Sequence, residues 1–87
     1  MSPMEIKHQL RDYILENFLF TDDTSQVPLE QSLFDTGTID STGVLDLVGF
    51  IEETYEVQVD DEEMVPENFD SVAKMAAYVQ RKLQAAA

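Results

Sequence analysis

The chain has no cysteine, a single histidine and only five basic residues in its 87 positions. Without cysteine there is no disulfide framework and no thiolate metal site, and nothing points to an oxidising compartment. A cytoplasmic location is therefore expected. No stretch approaches the length of a membrane span, and the N-terminal "MSPMEIKHQLRDY" lacks the apolar centre of a signal peptide. Repeats and low-complexity tracts are missing as well. Lys7, Arg11, Lys74, Arg81 and Lys82 lie near the ends, so no lysine or arginine occurs from Asp12 to Ala73. With 18 acids the net charge is −13. That field repels nucleic-acid phosphates and anionic membranes, and it steers basic protein surfaces toward the chain.

What is present suits one small helical domain, spanning residues 1–87 and expected to be monomeric. The hydrophobic fraction of 44% is ordinary for a folded protein. Ser2 as cap, Pro3 at the first helical position and Glu5 mark a helix start. Ile6, Leu10, Tyr13, Ile14 and Phe18 continue it at helical spacing to about residue 19. The segment "TDDTSQVPLEQSLFDTGTI" then reads as a long loop, pinned to the core by Val27, Leu29, Leu33, Phe34 and Ile39. A second helix starts at Ser41, with Val44, Leu47, Val48, Ile51 and Tyr55 as its apolar stripe. In "DDEEMVPEN" Asp60 and Asp61 suit the start of a short third helix, Glu63 completes a capping box, and Pro66 is expected to stop it. A fourth helix follows, capped by Asp70 or Ser71, with Val72, Met75, Ala76, Val79 and Leu83 on one side. Arg81 and Lys82 are expected near its C-terminal end, where cations complement the helix dipole. "YEVQVD" alternates too weakly to make a strand. The expected architecture is all-α: a four-helix bundle with a long loop between helices one and two and a short third helix.

Catalytic chemistry is poorly supplied. "DTG" at Asp35 to Gly37 sits between loop and helix, without the paired strand-rich lobes an aspartic protease needs. The "DDEE" run lacks the alternating oxygens and central glycine of a calcium loop and promises only diffuse ion binding. A Ser-His enzyme would need His8 near Ser41, but His8 lies beside Lys7 on helix one with no obvious third member and reads as a surface residue. What stands out is the pair Asp40 and Ser41 at the entrance to helix two. Either residue can cap the helix. A helix N-terminus also tolerates a phosphate, so a phosphodiester on the Ser41 oxygen is electrostatically acceptable there.

Together, "DS" at Asp40 and Ser41, "LDLVGFIEETYEV" after it, the long loop before it and the acidic short helix resemble the acyl carrier protein family over nearly the whole chain. The resemblance implies that 4′-phosphopantetheine, taken from coenzyme A, is esterified to Ser41 by a separate phosphopantetheinyl transferase, with Asp40 beside it. It also implies a non-enzyme that holds an acyl or aminoacyl group as a thioester on the arm and presents it to ligases, synthases and transferases with basic docking surfaces. The missing cysteine is then explained, since the reactive sulfur belongs to a cofactor. Directly after the serine, where many family members carry leucine or methionine, this chain has Thr42, and then Gly43. Gly43 is either a tolerated first-turn glycine or room for an arm or partner. A specialised or ligase-loaded carrier, free-standing, is the favoured role; a fatty-acid synthesis carrier and a cofactor-free acidic adaptor for a basic protein are the alternatives. Successive helical residues turn by about 100°, which places Asp46, Phe50 and Glu53 on the outward face of helix two, flanked by Leu45 and Glu52. Phe50 is expected to be exposed there as a docking contact for partners.

Overall fold

In the computed structural model, residues 2–86 are described. Helix α1 runs Pro3–Ile14, α2 Ser41–Tyr55, α3 Pro66–Phe69 and α4 Val72–Ala86, with no strand among the described residues. The expected all-α, four-helix architecture is therefore present. Ser2 caps α1 by accepting from the Glu5 amide at 3.2 Å, with Pro3 in the first turn. Past Ile14 the chain widens into a π-helical turn, Leu15–Leu19, which carries the helical path to the expected end near residue 19. Phe20 then stops it in the left-handed region, at φ 54.

The core lies where the periodic residues converge. Ile6, Leu10 and Ile14 of α1 meet Val72, Met75, Ala76 and Val79 of α4, and Leu47 and Ile51 of α2 close the third side. Burying a side chain of this size contributes about 1.5–3 kcal/mol, so the three stripes hold the bundle. Among the helices, α1 packs most closely on α4.

The long loop is anchored as its apolar residues suggest, with Val27, Leu33 and Ile39 buried. Its backbone is also stitched to the start of α4. The Leu33 amide donates to the Asp70 carbonyl at 2.6 Å, and the Ala73 amide of α4 donates to the Leu29 carbonyl at 2.8 Å. Asp70 Oδ1 accepts from Ser32 Oγ at 2.7 Å and from the Phe34 amide at 3.2 Å. Asp70 is thus the loop's staple, while Ser71 Oγ caps α4 by accepting from the Lys74 amide at 3.1 Å.

Two local expectations are corrected. Pro66 begins α3 instead of ending a helix, because a proline at the first helical position loses no hydrogen bond there. The acids before it form a separate 3₁₀ turn, Asp61–Glu63, in which the Asp60 amide donates to Glu63 Oε1 at 3.1 Å. Arg81 and Lys82 are not at the end of α4, since alanines carry that helix on to Ala86. Lys82 instead donates to Glu63 Oε1 at 3.0 Å, and Arg81 donates to Asn68 Oδ1 at 2.9 Å.

Candidate functional site

The entrance to α2 divides two tasks between two adjacent residues. Asp40, in extended backbone, caps the helix: its Oδ1 accepts from the Gly43 amide at 2.8 Å, and its carbonyl accepts from the Val44 amide at 3.1 Å. Ser41 is thereby released from capping. It is exposed in the first turn, and among the described residues no hydrogen bond engages its hydroxyl. Its hydroxyl is left facing solvent beside the positive end of a helix, where added phosphate charge is favourable.

The surroundings of Ser41 are asymmetric. On one side an apolar groove of about 260 Å³ runs from Ser41 and Leu45 across Phe34 and Val44 to Met64 and Phe69. Sequence reasoning missed this groove, because its lining comes from the loop, α2 and α3 and only the folded chain brings these together. On the other side α2 approaches the π-helical turn. Gly43 is buried, and a Cβ there would stand 3.1 Å from Ile39 Cγ2 and 3.2 Å from Phe18 Cε1. Gly43 is thus a first-turn glycine, as one sequence reading has it, and the chain's own side chains fill the space that the other reading leaves for an arm or partner.

Farther along α2 the expected outward face is redrawn. Leu45 is 61% exposed, and Asp46 and Glu53 are exposed. Phe50, expected to be exposed, is half-buried and stacked on Tyr13 with ring centroids 4.1 Å apart. The reason is rotation: seven residues after Gly43 bring the helix back to within about 20° of the same direction, toward α1. Asp46 Oδ1 accepts from the Tyr13 hydroxyl at 3.0 Å, and burial together with this bond raises the Tyr13 pKa. Glu52 is half-buried and turned to the chain after α2, its Oε2 accepting from the Val59 amide at 2.9 Å. The open part of the face is therefore Leu45, Asp46 and Glu53, bordered by Ser41 at its start.

His8 is exposed, Gly37 lies in an exposed turn, and among the described residues no group of three or more His, Cys, Asp or Glu is placed to hold a metal ion. No helix of the described chain is long and apolar enough to cross a membrane.

Comparison with known proteins covers most of the chain. Residues 8–79 match the family described as "Phosphopantetheine attachment site". The chain is 29% identical over 73 residues to the D-alanyl carrier protein of Streptococcus pyogenes serotype M5 (strain Manfredo), covering 82% of this chain and 91% of that one. The same figures hold for the D-alanyl carrier protein of serotype M49 (strain NZ131). Among solved structures, a chain described as "Crystal structure of FAD-dependent dehydrogenase" superposes with a TM-score of 0.69 at 27% identity, over 79% of this chain and 96% of that one.

Proposed function

Because the chain belongs to the family of carrier proteins that bear a covalently attached 4′-phosphopantetheine, we propose that Ser41 is the attachment residue and that the chain acts as an aminoacyl or acyl carrier loaded by a ligase. The observation that carries the assignment is the exposed Ser41 hydroxyl, relieved of capping by Asp40 at the first turn of α2. Once attached, the group supplies a terminal thiol that holds the cargo as a thioester.

The chain's own residues do the rest. Asp40 holds the first turn of α2 closed, so Ser41 stays at the positive end of the helix, where its Oγ would hold the phosphodiester favourably. In the attachment step the Ser41 Oγ–P bond forms as the pyrophosphate bond of coenzyme A breaks, adenosine 3′,5′-bisphosphate leaves with the electron pair, and the serine proton passes to a base of the transferase. The groove floored by Val44 and Phe69 gives the apolar stretch of an arm or a small cargo a place to lie beside Ser41. Leu45, Asp46 and Glu53 offer partner enzymes one exposed apolar contact beside two exposed carboxylates. Phe50 and Glu52 support that face from behind, through Tyr13 and Val59. The similarity to D-alanyl carrier proteins favours aminoacyl cargo over the long acyl chains of fatty-acid synthesis.

The test is intact-mass measurement after incubation with coenzyme A, Mg²⁺ and a broad-specificity phosphopantetheinyl transferase. The expected result is addition of one phosphopantetheine to the wild type and none to Ser41→Ala, with fragmentation placing the mass on Ser41. Modification that persists in Ser41→Ala would remove the assignment.

A further inference from the structure

Four aromatic rings form a ladder along the seam between α1 and α2. Phe18 meets Tyr13 edge-on at 6.3 Å, Tyr13 stacks on Phe50 with 26° between the ring planes, and Phe50 meets Tyr55 edge-on at 6.4 Å. Tyr55 is buried at one end of the ladder, and Phe18 backs onto Gly43 at the other. The middle pair differs. Tyr13 and Phe50 are only half-buried and line an open groove of about 330 Å³, whose rim includes Asp12, Glu16 and Thr54.

The charge around this groove is mostly negative. Glu16 is exposed at the rim, and Asp46 and Glu53 are exposed on the neighbouring turns of α2. Asp12 is paired with Arg11 at 3.2 Å, so that cation is already engaged. The Tyr13 hydroxyl spends its proton on Asp46. The groove thus offers aromatic rings and carboxylate oxygens to a visitor, a combination that suits a cation.

We propose that the groove between α1 and α2 is a docking groove for an arginine side chain on a basic segment of a partner protein. A guanidinium plane stacks on aromatic rings while its forked N–H donors reach carboxylates, whereas a lysine ammonium offers only a point charge. A second copy of this chain is a poor occupant, since each copy carries a net charge of −13. Phe50 lies nine residues after Ser41, which is about 14 Å along the helix axis. An arginine seated in the groove is therefore set back by that distance from the attachment end.

The proposal goes beyond the attachment reading and is tested on unmodified chain, so its outcome is independent of Ser41. The ¹⁵N-labelled protein is titrated with a short amphipathic peptide bearing arginines on one face, and in parallel with its lysine twin. Amide shifts should concentrate on residues 9–16 and 46–54, and the arginine peptide should bind about fivefold more tightly than the lysine one. Phe50→Leu should weaken the arginine peptide by about fivefold and erase its advantage. Glu16→Gln, an exposed substitution that leaves the fold intact, should weaken both peptides by about two- to threefold. Shifts centred on the acids around Asp60–Glu63, or equal binding of the two peptides to wild type and Phe50→Leu, would overturn the proposal. So would shifts at the groove that depend on protein concentration with no peptide present, which would make a second copy the occupant.

Discussion

Two glycines on α2 show how little a residue's identity says before its neighbours are known. Gly43 is pressed by Ile39 and Phe18, whereas a Cβ on Gly49 would meet nothing within 4 Å. Gly49→Ala should stabilise the protein by about 0.5–1 kcal/mol, the usual gain from removing glycine from an exposed helix interior. Gly43→Ala should destabilise it by about 1 kcal/mol, because Ile39 is buried in packed core and Phe18 is braced against Tyr13. Urea denaturation of the two variants measures both signs in one experiment. The same contrast separates Asp40 from Ser41. A capping pair was legible in the sequence, but which member capped was decided by the extended backbone of Asp40, and that choice leaves the serine free.

At the scale of the elements, the short acidic turn is fastened to α4 through one oxygen. Glu63 Oε1 accepts from the Asp60 amide, from the Tyr78 hydroxyl at 2.8 Å and from Lys82 Nζ, which holds its carboxyl at about 2, below the ordinary 4.5. Burial, and then the Glu63 carboxylate, push the Tyr78 hydroxyl in the opposite direction. A carboxyl whose pKa is depressed by folding stabilises the protein above its unfolded pKa and loses that contribution as the pH falls through its folded pKa. The melting-temperature gap between wild type and Glu63→Gln should therefore be full above about pH 5 and close as the pH falls from 4.5 toward 2. A gap unchanged across that range would show that the charge on Glu63 is unimportant. The end of α2 offers a second handle. Glu56 closes the helix in the left-handed region at φ 55, where a side chain is strained and glycine is not. Glu56→Gly should raise stability by about 0.5–1 kcal/mol in the same denaturation assay. Asp70→Ala should act the other way, costing about 2 kcal/mol by removing the acceptor of Ser32 Oγ and the Phe34 amide. Because this staple holds the loop that delivers Asp40 and Ser41, transferase turnover should fall in Asp70→Ala even under conditions where the variant remains folded.

For the molecule as a whole, the Cα radius of gyration of 11.9 Å matches the value of about 12 Å expected for a compact chain of this length. Compaction concentrates the net charge of −13, and among the described residues only Arg11–Asp12 and Lys82–Glu63 bring opposite charges together as ion pairs. Self-repulsion on that scale destabilises the compact state and is screened within about 10 Å at 0.1 M salt. The melting temperature should rise by several degrees between about 10 mM and 200 mM NaCl, read by circular dichroism. A flat response would show that repulsion is not limiting. The same field serves recognition, since steering by rim carboxylates raises association rates with basic partners.

The sequence alone determined the helices that carry the bundle, because periodic apolar residues such as Ile6, Leu10 and Ile14 bury only on one face of a helix, and the capping signals at Ser2 and Asp40 are local. It also determined the acidic character of the surface and the candidate serine, both of which follow from composition and from a short motif. Tertiary structure decided everything that depends on residues distant in the chain. Phe50 became a stacking partner of Tyr13 instead of an exposed anchor, Asp70 became a loop staple instead of a cap, and the groove beside Ser41 was assembled from three separate segments. Helical periodicity specifies a residue's direction from its own axis to within tens of degrees. Whether solvent or another helix lies in that direction is set by how the axes pack, and that depends on the burial of the whole chain at once.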